Sequence, residues 1–278
     1  MKKIFLIFSL ILVAVVIGLS YSAPPAGTQV NNDMALGRML NNGVLYPNPA
    51  RYHILFDDFN SFTGDATGAL WDTTSVVVDA GASAVVSDSL TGGLLKITFP
   101  VAASKGPNNG MNIQPNYAPL KLLGSPGNPD SATVPLEFEC RFMLNTITEP
   151  YLYAGLTIDD ASLVTGNAKG LFFVKHDCTQ SGAVATTAVL WAKEINANTS
   201  AMDSASCGVI TGRTWYRLKI IWNGAKARYF VNDVLKATLS TTANQPVGVN
   251  LKPTFEVAQG DSVVNYAYLD YIKVSQRR

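Results

Sequence analysis

The sequence predicts an all-β sandwich in which two antiparallel sheets close on one another, and three observations carry that prediction. From Tyr52 onward, short apolar stretches recur between clusters of Gly, Pro, Asn and Asp. Long amphipathic helical repeats of the kind that separate the strands of a parallel α/β sheet do not intervene. The stretch Trp215–Leu239 spells out three consecutive strands by its turn chemistry alone.

In that stretch Tyr216, Leu218, Ile220 and Trp222 share one face of a strand while Arg217 and Lys219 take the other, because successive side chains on a strand alternate. Asn223-Gly224 tolerates the positive φ of a tight turn and leads to Ala227–Val231; Asn232-Asp233 turns the chain again into Val234–Leu239. Further strands are expected at Ile54–Phe56, Ser75–Val78, Leu94–Phe99, Leu136–Leu144, Tyr153–Ile158, Gly170–Lys175, Ala185–Trp191, Thr254–Val257 and Tyr266–Val274. Lys105–Thr133, with five prolines and four glycines, is expected to be a surface excursion.

Composition sets the limits. With 47% hydrophobic and 15% charged residues the chain of 278 residues can fill a core, and a net charge of +1 without basic clusters excludes the electrostatic footprint of a nucleic-acid binder. Lys2 and Lys3, an apolar run from Ile4 to Leu19 and then Ser20–Pro25 follow the order of a secretory leader, so residues 1–22 are expected to be a cleaved signal or a retained anchor, the one route to a membrane. Met34 offers an alternative start. Residues 23–50, rich in Pro, Gly and Asn, predict an extended arm, and residues 51–278 the sandwich. Cys178 and Cys207 stand in turn-rich surroundings and predict a disulfide, whereas Cys140 alternates with Phe138 and Phe142 and predicts a small buried core residue.

Trp215–Leu239, followed by Pro253–Val257 and Leu269–Val274, resembles the closing half of concanavalin A-like, or laminin-G-like, jelly rolls. From Met34 onward the sequence also resembles structural proteins of tailed-phage virions, through Met34–Arg38, Pro47-Asn48-Pro49, Phe56–Phe59, Gly155–Asp159, Gly170–Phe173, Tyr229–Val231 and Leu269–Ile272. That resemblance implies a head-decoration or other virion surface component that meets protein neighbours and performs no catalysis. An exported, lectin-like module that binds glycan is the alternative, and a secreted glycoside hydrolase or lyase a third reading.

Candidate chemistry is sparse. The five glutamates, at 137, 139, 149, 194 and 256, do not form the Glu-x-Asp-x-(x)-Glu array with which hydrolases of this fold cut; Glu137 and Glu139 share a strand face with Arg141, which predicts a solvated, neutralised surface. Two histidines, His53 and His176, without a Gly-x-Ser-x-Gly elbow exclude serine hydrolase chemistry, and no cofactor is expected. Structural calcium, if bound, would take Asp57, Asp58 and Asp270, carboxylates that the fold should bring together; the alternative is that the first two cap a turn and Asp270 pairs with a cation. Trp71, Trp191 and Trp215 are candidates for an aromatic glycan platform, with core packing as the competing role.

Overall fold

Alternation of apolar and polar residues builds most strands of this protein, since a period of two sends every second side chain to the core. The computed structural model describes residues 38–41, 44–47, 52–59, 62, 70–77, 85–90, 93–99, 109–116, 120–122, 135–147, 150–159, 169–175, 188–196, 202–259 and 265–277. The chain divides into two units, Met1–His53 and Ile54–Arg278. In the first, β1 (Arg38–Asn41) and β2 (Val44–Pro47) form an antiparallel hairpin with Met39 opposite Tyr46. The arm expected over residues 23–50 therefore carries paired strands, while its remainder and the leader, residues 1–22, lie outside the described residues.

The strands that follow are β3 (Tyr52–Asp57), β4 (Trp71–Val77), β5 (Val85–Leu90), β6 (Leu94–Phe99), β7 (Asn109–Pro115), β8 (Leu120–Lys121), β9 (Leu136–Leu144), β10 (Tyr151–Thr157), β11 (Gly170–Lys175), β12 (Val189–Ile195), β13 (Met202–Val209), β14 (Trp215–Trp222), β15 (Ala227–Val231), β16 (Val234–Leu239), β17 (Asn250–Gln259) and β18 (Asn265–Arg277). They form two antiparallel sheets. The first runs β16-β15-β14-β9-β18-β6-β5, with β3 also on β18; the second runs β13-β12-β11-β10-β17-β7-β4, with β8 also on β17.

Phe138, Cys140 and Phe142 of β9 and Leu218, Ile220 and Trp222 of β14 face Leu152, Ala154 and Leu156 of β10 and Phe255 and Val257 of β17 in one buried core. Rings meet across the two sheets: Phe142 lies 6.0 Å from Phe255, and Phe173 stands edge-on to Tyr229 at 5.2 Å. The three-stranded meander β14–β16 forms as its turn residues require. Asn232 and Asp233 both take positive φ, and Asn232 grips Arg217, donating its amide to the Arg217 carbonyl at 2.8 Å and accepting the Arg217 amide at 2.9 Å.

Some elements depart from expectation for identifiable reasons. The supposed excursion 105–133 contains β7 and β8, because Met111 and Ile113 alternate with Asn112 and Gln114 beneath the surrounding prolines and glycines. β12 is displaced toward Ile195 relative to Ala185–Trp191, since its core-facing row is Leu190, Ala192 and Glu194, and a buried glutamate hides the pattern. β13 is made largely of small and polar residues and looked like a loop; Cys207 within it is a buried free thiol, which corrects the expected bridge at that residue. Its expected partner, Cys178, lies outside the described residues. Burial pushes the Cys207 thiol up to about 11, with the Ala192 backbone and Lys236 pulling the other way. Cys140, as expected, is core, and burial raises its thiol well above the usual range.

Two polar features sit at the margins of this core. Asp57 ends β3 by accepting the Phe59 amide at 2.7 Å with one carboxylate oxygen and the Trp71 indole N–H at 2.6 Å with the other. That clamp holds Phe59 at a φ of 53° and seats its ring, fully buried, against Phe62 and Trp71. On β12, Glu194 points inward beside its register partner Asp203, and neither of its carboxyl oxygens has a hydrogen bond of ordinary geometry. Burial raises its pKa from 4.5 to about 8, the Asp203 charge adds to the effect, and the Ala227 backbone partly offsets it.

Asp57→Ala is expected to cost about 1–3 kcal/mol, because it strands a buried indole N–H and releases Phe59; chemical denaturation measures this, and an unchanged midpoint would count against the clamp. For Glu194 the native state holds a proton that the unfolded chain gives up above pH 4.5. Its contribution to stability is therefore lost as pH rises from about 4.5 to about 8, and is level above that. Glu194→Gln should flatten this part of a stability-against-pH profile.

Candidate functional site

The outer face of the second sheet gathers polar groups that a packing surface does not need. Strand register sets them in rows. One row runs Asn112, Glu256, Tyr153, Val174, Trp191 and Ser206 from β7 to β13; the next runs Asp72, Gln114, Thr254, Gly155, Phe172, Lys193 and Ser204, with Gln114 bonded to Thr254 by its side chain. Side chains of directly paired residues share a face, so each row is a continuous strip.

At the middle strands this outer face is buried as thoroughly as the inner one: every residue of β10 and β11 is buried. Buried polar groups must then find partners. Gln114 donates to the Thr157 hydroxyl at 3.1 Å, the Thr254 hydroxyl at 2.9 Å and the Ile158 carbonyl at 2.9 Å, while the two threonine hydroxyls share a hydrogen bond of 2.7 Å. Gly155 keeps the strip flat, since a Cβ there would stand 2.3 Å from the Leu171 carbonyl oxygen. Glu256 is 0% exposed at the centre of the sheet, with Tyr153 on one side and Asn112 on the other in register. Burial lifts the Tyr153 phenol well above its usual range, and the Glu256 charge adds to it. Tyr153, Phe172 and Val174 make a small apolar cluster with Ile195 beside this carboxyl.

The face opens at β12 and β13. Trp191 is 36% exposed, and Ser204 and Ser206 are exposed beside it. Lys193 stands two residues from Trp191 on the same face, half-buried, and burial lowers its pKa.

The residues singled out by sequence distribute otherwise than expected. Of the three tryptophans, Trp191 reaches this surface; Trp71 is 2% exposed and belongs to the core, and Trp215 on the first sheet lies under Arg141, whose guanidinium carbon sits 4.6 Å from the ring centroid. The three aspartates do not converge. Asp57 is occupied by Phe59 and Trp71, and Asp270 sits at a bulge of β18 and pairs with Arg141 at 2.6 Å, as the competing reading held. Asp58 follows β3 with partners of its own. Among the described residues no three His, Cys, Asp or Glu side chains gather as a metal site. Glu137 and Glu139 lie on a neutralised strand face, but the expected partner Arg141 turns to Asp270 and Glu139 is buried rather than solvated: Lys273 meets Glu137 at 3.3 Å, Lys219 meets Glu139 at 3.4 Å, and the Tyr271 hydroxyl donates to Glu139 at 2.5 Å. The side chain of His53, and all of His176, lie outside the described residues.

Glu256 was passed over because it stands alone on its strand, outside any paired-carboxylate motif. Its signal was a different one: in Pro253-Thr254-Phe255-Glu256-Val257 a charge interrupts a strand whose alternate residues are apolar, on the face that a sandwich need not bury.

No protein-family model and no curated protein matches the chain. Solved structures do. A glycoside hydrolase family 16 protein from the mixed-linkage glucan locus of Bacteroides ovatus, in complex with a product, has a TM-score of 0.56 at 12% identity over 79% of this chain and 99% of that one. A family 16 endo-glucanase from the same organism gives 0.54 at 13% over 79% and 99%, and a protein of Mycobacterium tuberculosis described as an immunostimulatory antigen and pseudo β-1,3-glucanase gives 0.53 at 13% over 79% and 97%. The fold is thus the concanavalin A-like jelly roll of two antiparallel sheets. The same likeness overturns the virion-surface role and the expected lack of catalysis, since the two Bacteroides ovatus neighbours are described as family 16 glycoside hydrolases and none of the three as a virion protein.

Thr254→Val should cost about 1–3 kcal/mol, because Gln114 and Thr157 each lose a buried partner. Thr254→Ser should keep most of the stability, and equal denaturation midpoints for Val and Ser would argue against the network.

Proposed function

We propose that this protein is a secreted glycan-processing jelly roll that cleaves a polysaccharide admitted from the exposed β12–β13 end of the outer face of its second sheet, with Glu256 as the proton-donating carboxyl. The observation that carries the reading is the position of Glu256, a carboxyl fully withdrawn from water at the centre of a sheet and flanked by a phenol and an amide. A sheltered carboxyl is the kind of group that hands a proton to a leaving glycosidic oxygen.

Asp72 lies on the same face two strands away, in the adjoining row. At ~4.8 Å per strand and ~3.3 Å per residue, two strands across and two residues along set the two backbones about 12 Å apart. Glycan enters from the β12–β13 end, where the face is exposed. The likeness to family 16 glucanases, one of them in complex with a glucan product, supports glucan as the substrate class. The leader-like residues 1–22 support export.

Release of reducing ends from mixed-linkage β-glucan and β-1,3-glucan tests this. The wild-type chain is expected to release them, and Glu256→Gln to slow release by roughly 10²–10⁴-fold with its fold intact by circular dichroism. No release by the wild type across both glucans, or an unslowed Glu256→Gln, would remove the proposal.

A further inference from the structure

Two carboxyls meet inside the sandwich, where an unanswered charge is most costly. Glu194 of β12 and Asp203 of β13 are directly opposite in register and share the core-facing side of the second sheet, so their carboxyls stand side by side. Glu194 is 0% exposed, and neither of its oxygens has a hydrogen bond of ordinary geometry. Across the core lies Tyr229 of β15, whose hydroxyl is already committed to the Lys193 carbonyl at 2.8 Å. The segment that follows β16 closes this corner. Thr241 donates to Asp203 Oδ2 at 2.9 Å, and Asn196, two residues beyond Glu194, donates to the Ala243 carbonyl at 3.3 Å. Gln245 donates its Nε2 to the Ala225 carbonyl at 2.7 Å, two residues before the Ala227 backbone that approaches Glu194. Residues 241–245 are thus tied to β12, to β13 and to the turn into β15 around one buried carboxyl. Gln245 is itself 1% exposed, and with its Nε2 spent on Ala225 its Oε1 is a third buried oxygen without a donor. Native interiors rarely leave such acceptors unanswered.

We propose that Glu194, Asp203 and the Gln245 Oε1 bind a calcium ion that pins residues 241–245 across β13 and β16, the edge strands of the two sheets. Two carboxylates and an amide carbonyl are the oxygens a hard cation takes, and the paired carboxylates match a double positive charge. Asp203 is half-buried, which leaves a side from which water completes the coordination. Ligands borne by two strands and a turn present an irregular geometry, which calcium accepts and magnesium, with its near-ideal octahedron, does not. The site is separate from Asp57, Asp58 and Asp270, which do not converge. It is also independent of the glycan reading, because Glu194 and Asp203 occupy the inner side of the sheet and Glu256 the outer.

Calcium titration of the full chain, first stripped with a chelator, tests this by calorimetry and thermal denaturation. The wild type is expected to bind a single ion, with an unfolding midpoint that rises as calcium is added and rises less with magnesium, because a cation held only by the folded chain stabilises it. Glu194→Gln and Asp203→Asn, which keep the side-chain shape and whose folding in chelator is checked by circular dichroism, should each weaken calcium at least roughly tenfold. Asp270→Asn should leave the affinity unchanged. Terbium in place of calcium should luminesce when the aromatic rings are excited, since Tyr229 lies beside the carboxyls, and both carboxyl variants should lose that emission. No binding by the wild type up to about 5 mM calcium, an equal response to magnesium, or binding that survives both carboxyl substitutions overturns the site.

Discussion

Burial of the second sheet on both of its faces is the constraint on which the molecule depends. A sandwich ordinarily hides one face of each sheet and leaves the other to water. Here β10 and β11 are buried throughout, and β7 and β17 nearly so, so polar side chains on the outer strip must pair with one another. Gln114 bridging two threonines and a carbonyl is the direct result.

The first sheet follows the ordinary pattern and offers the contrast. Its outward side chains pair as surface charges, with Lys273, Lys219 and Arg141 answering Glu137, Glu139 and Asp270. Such pairs contribute little stability individually. Their effect is to balance the charge along that face, where Glu139 itself is buried, while the second sheet holds the sheltered polar strip.

Much of this could be read from the chain before its structure. The meander from Trp215 to Leu239 was legible because Asn-Gly and Asn-Asp turns and a strict period of two point to the same answer, and the core position of Cys140 followed from its neighbours Phe138 and Phe142. β13 was not, since Met202–Val209 is too polar and too small-residued to resemble a strand, and pairs because β12 offers it an edge. β12 itself was displaced because the inward Glu194 breaks an apolar row. The site was hidden for a related reason. Motif reasoning seeks carboxylates spaced along one strand, but the strip is assembled across strands, from residues more than a hundred positions apart such as Tyr153 and Glu256. Only register brings them together, and register is a property of the whole sheet.

The thiols carry a consequence of their own. Cys140 and Cys207 are each enclosed in the sandwich, and burial keeps both protonated through the physiological range. A protonated, enclosed sulfur is a poor nucleophile toward oxidants and mixed disulfides alike. At these two positions the folded body is accordingly indifferent to the redox poise around it, and the same architecture would serve in a reducing or an oxidising compartment alike.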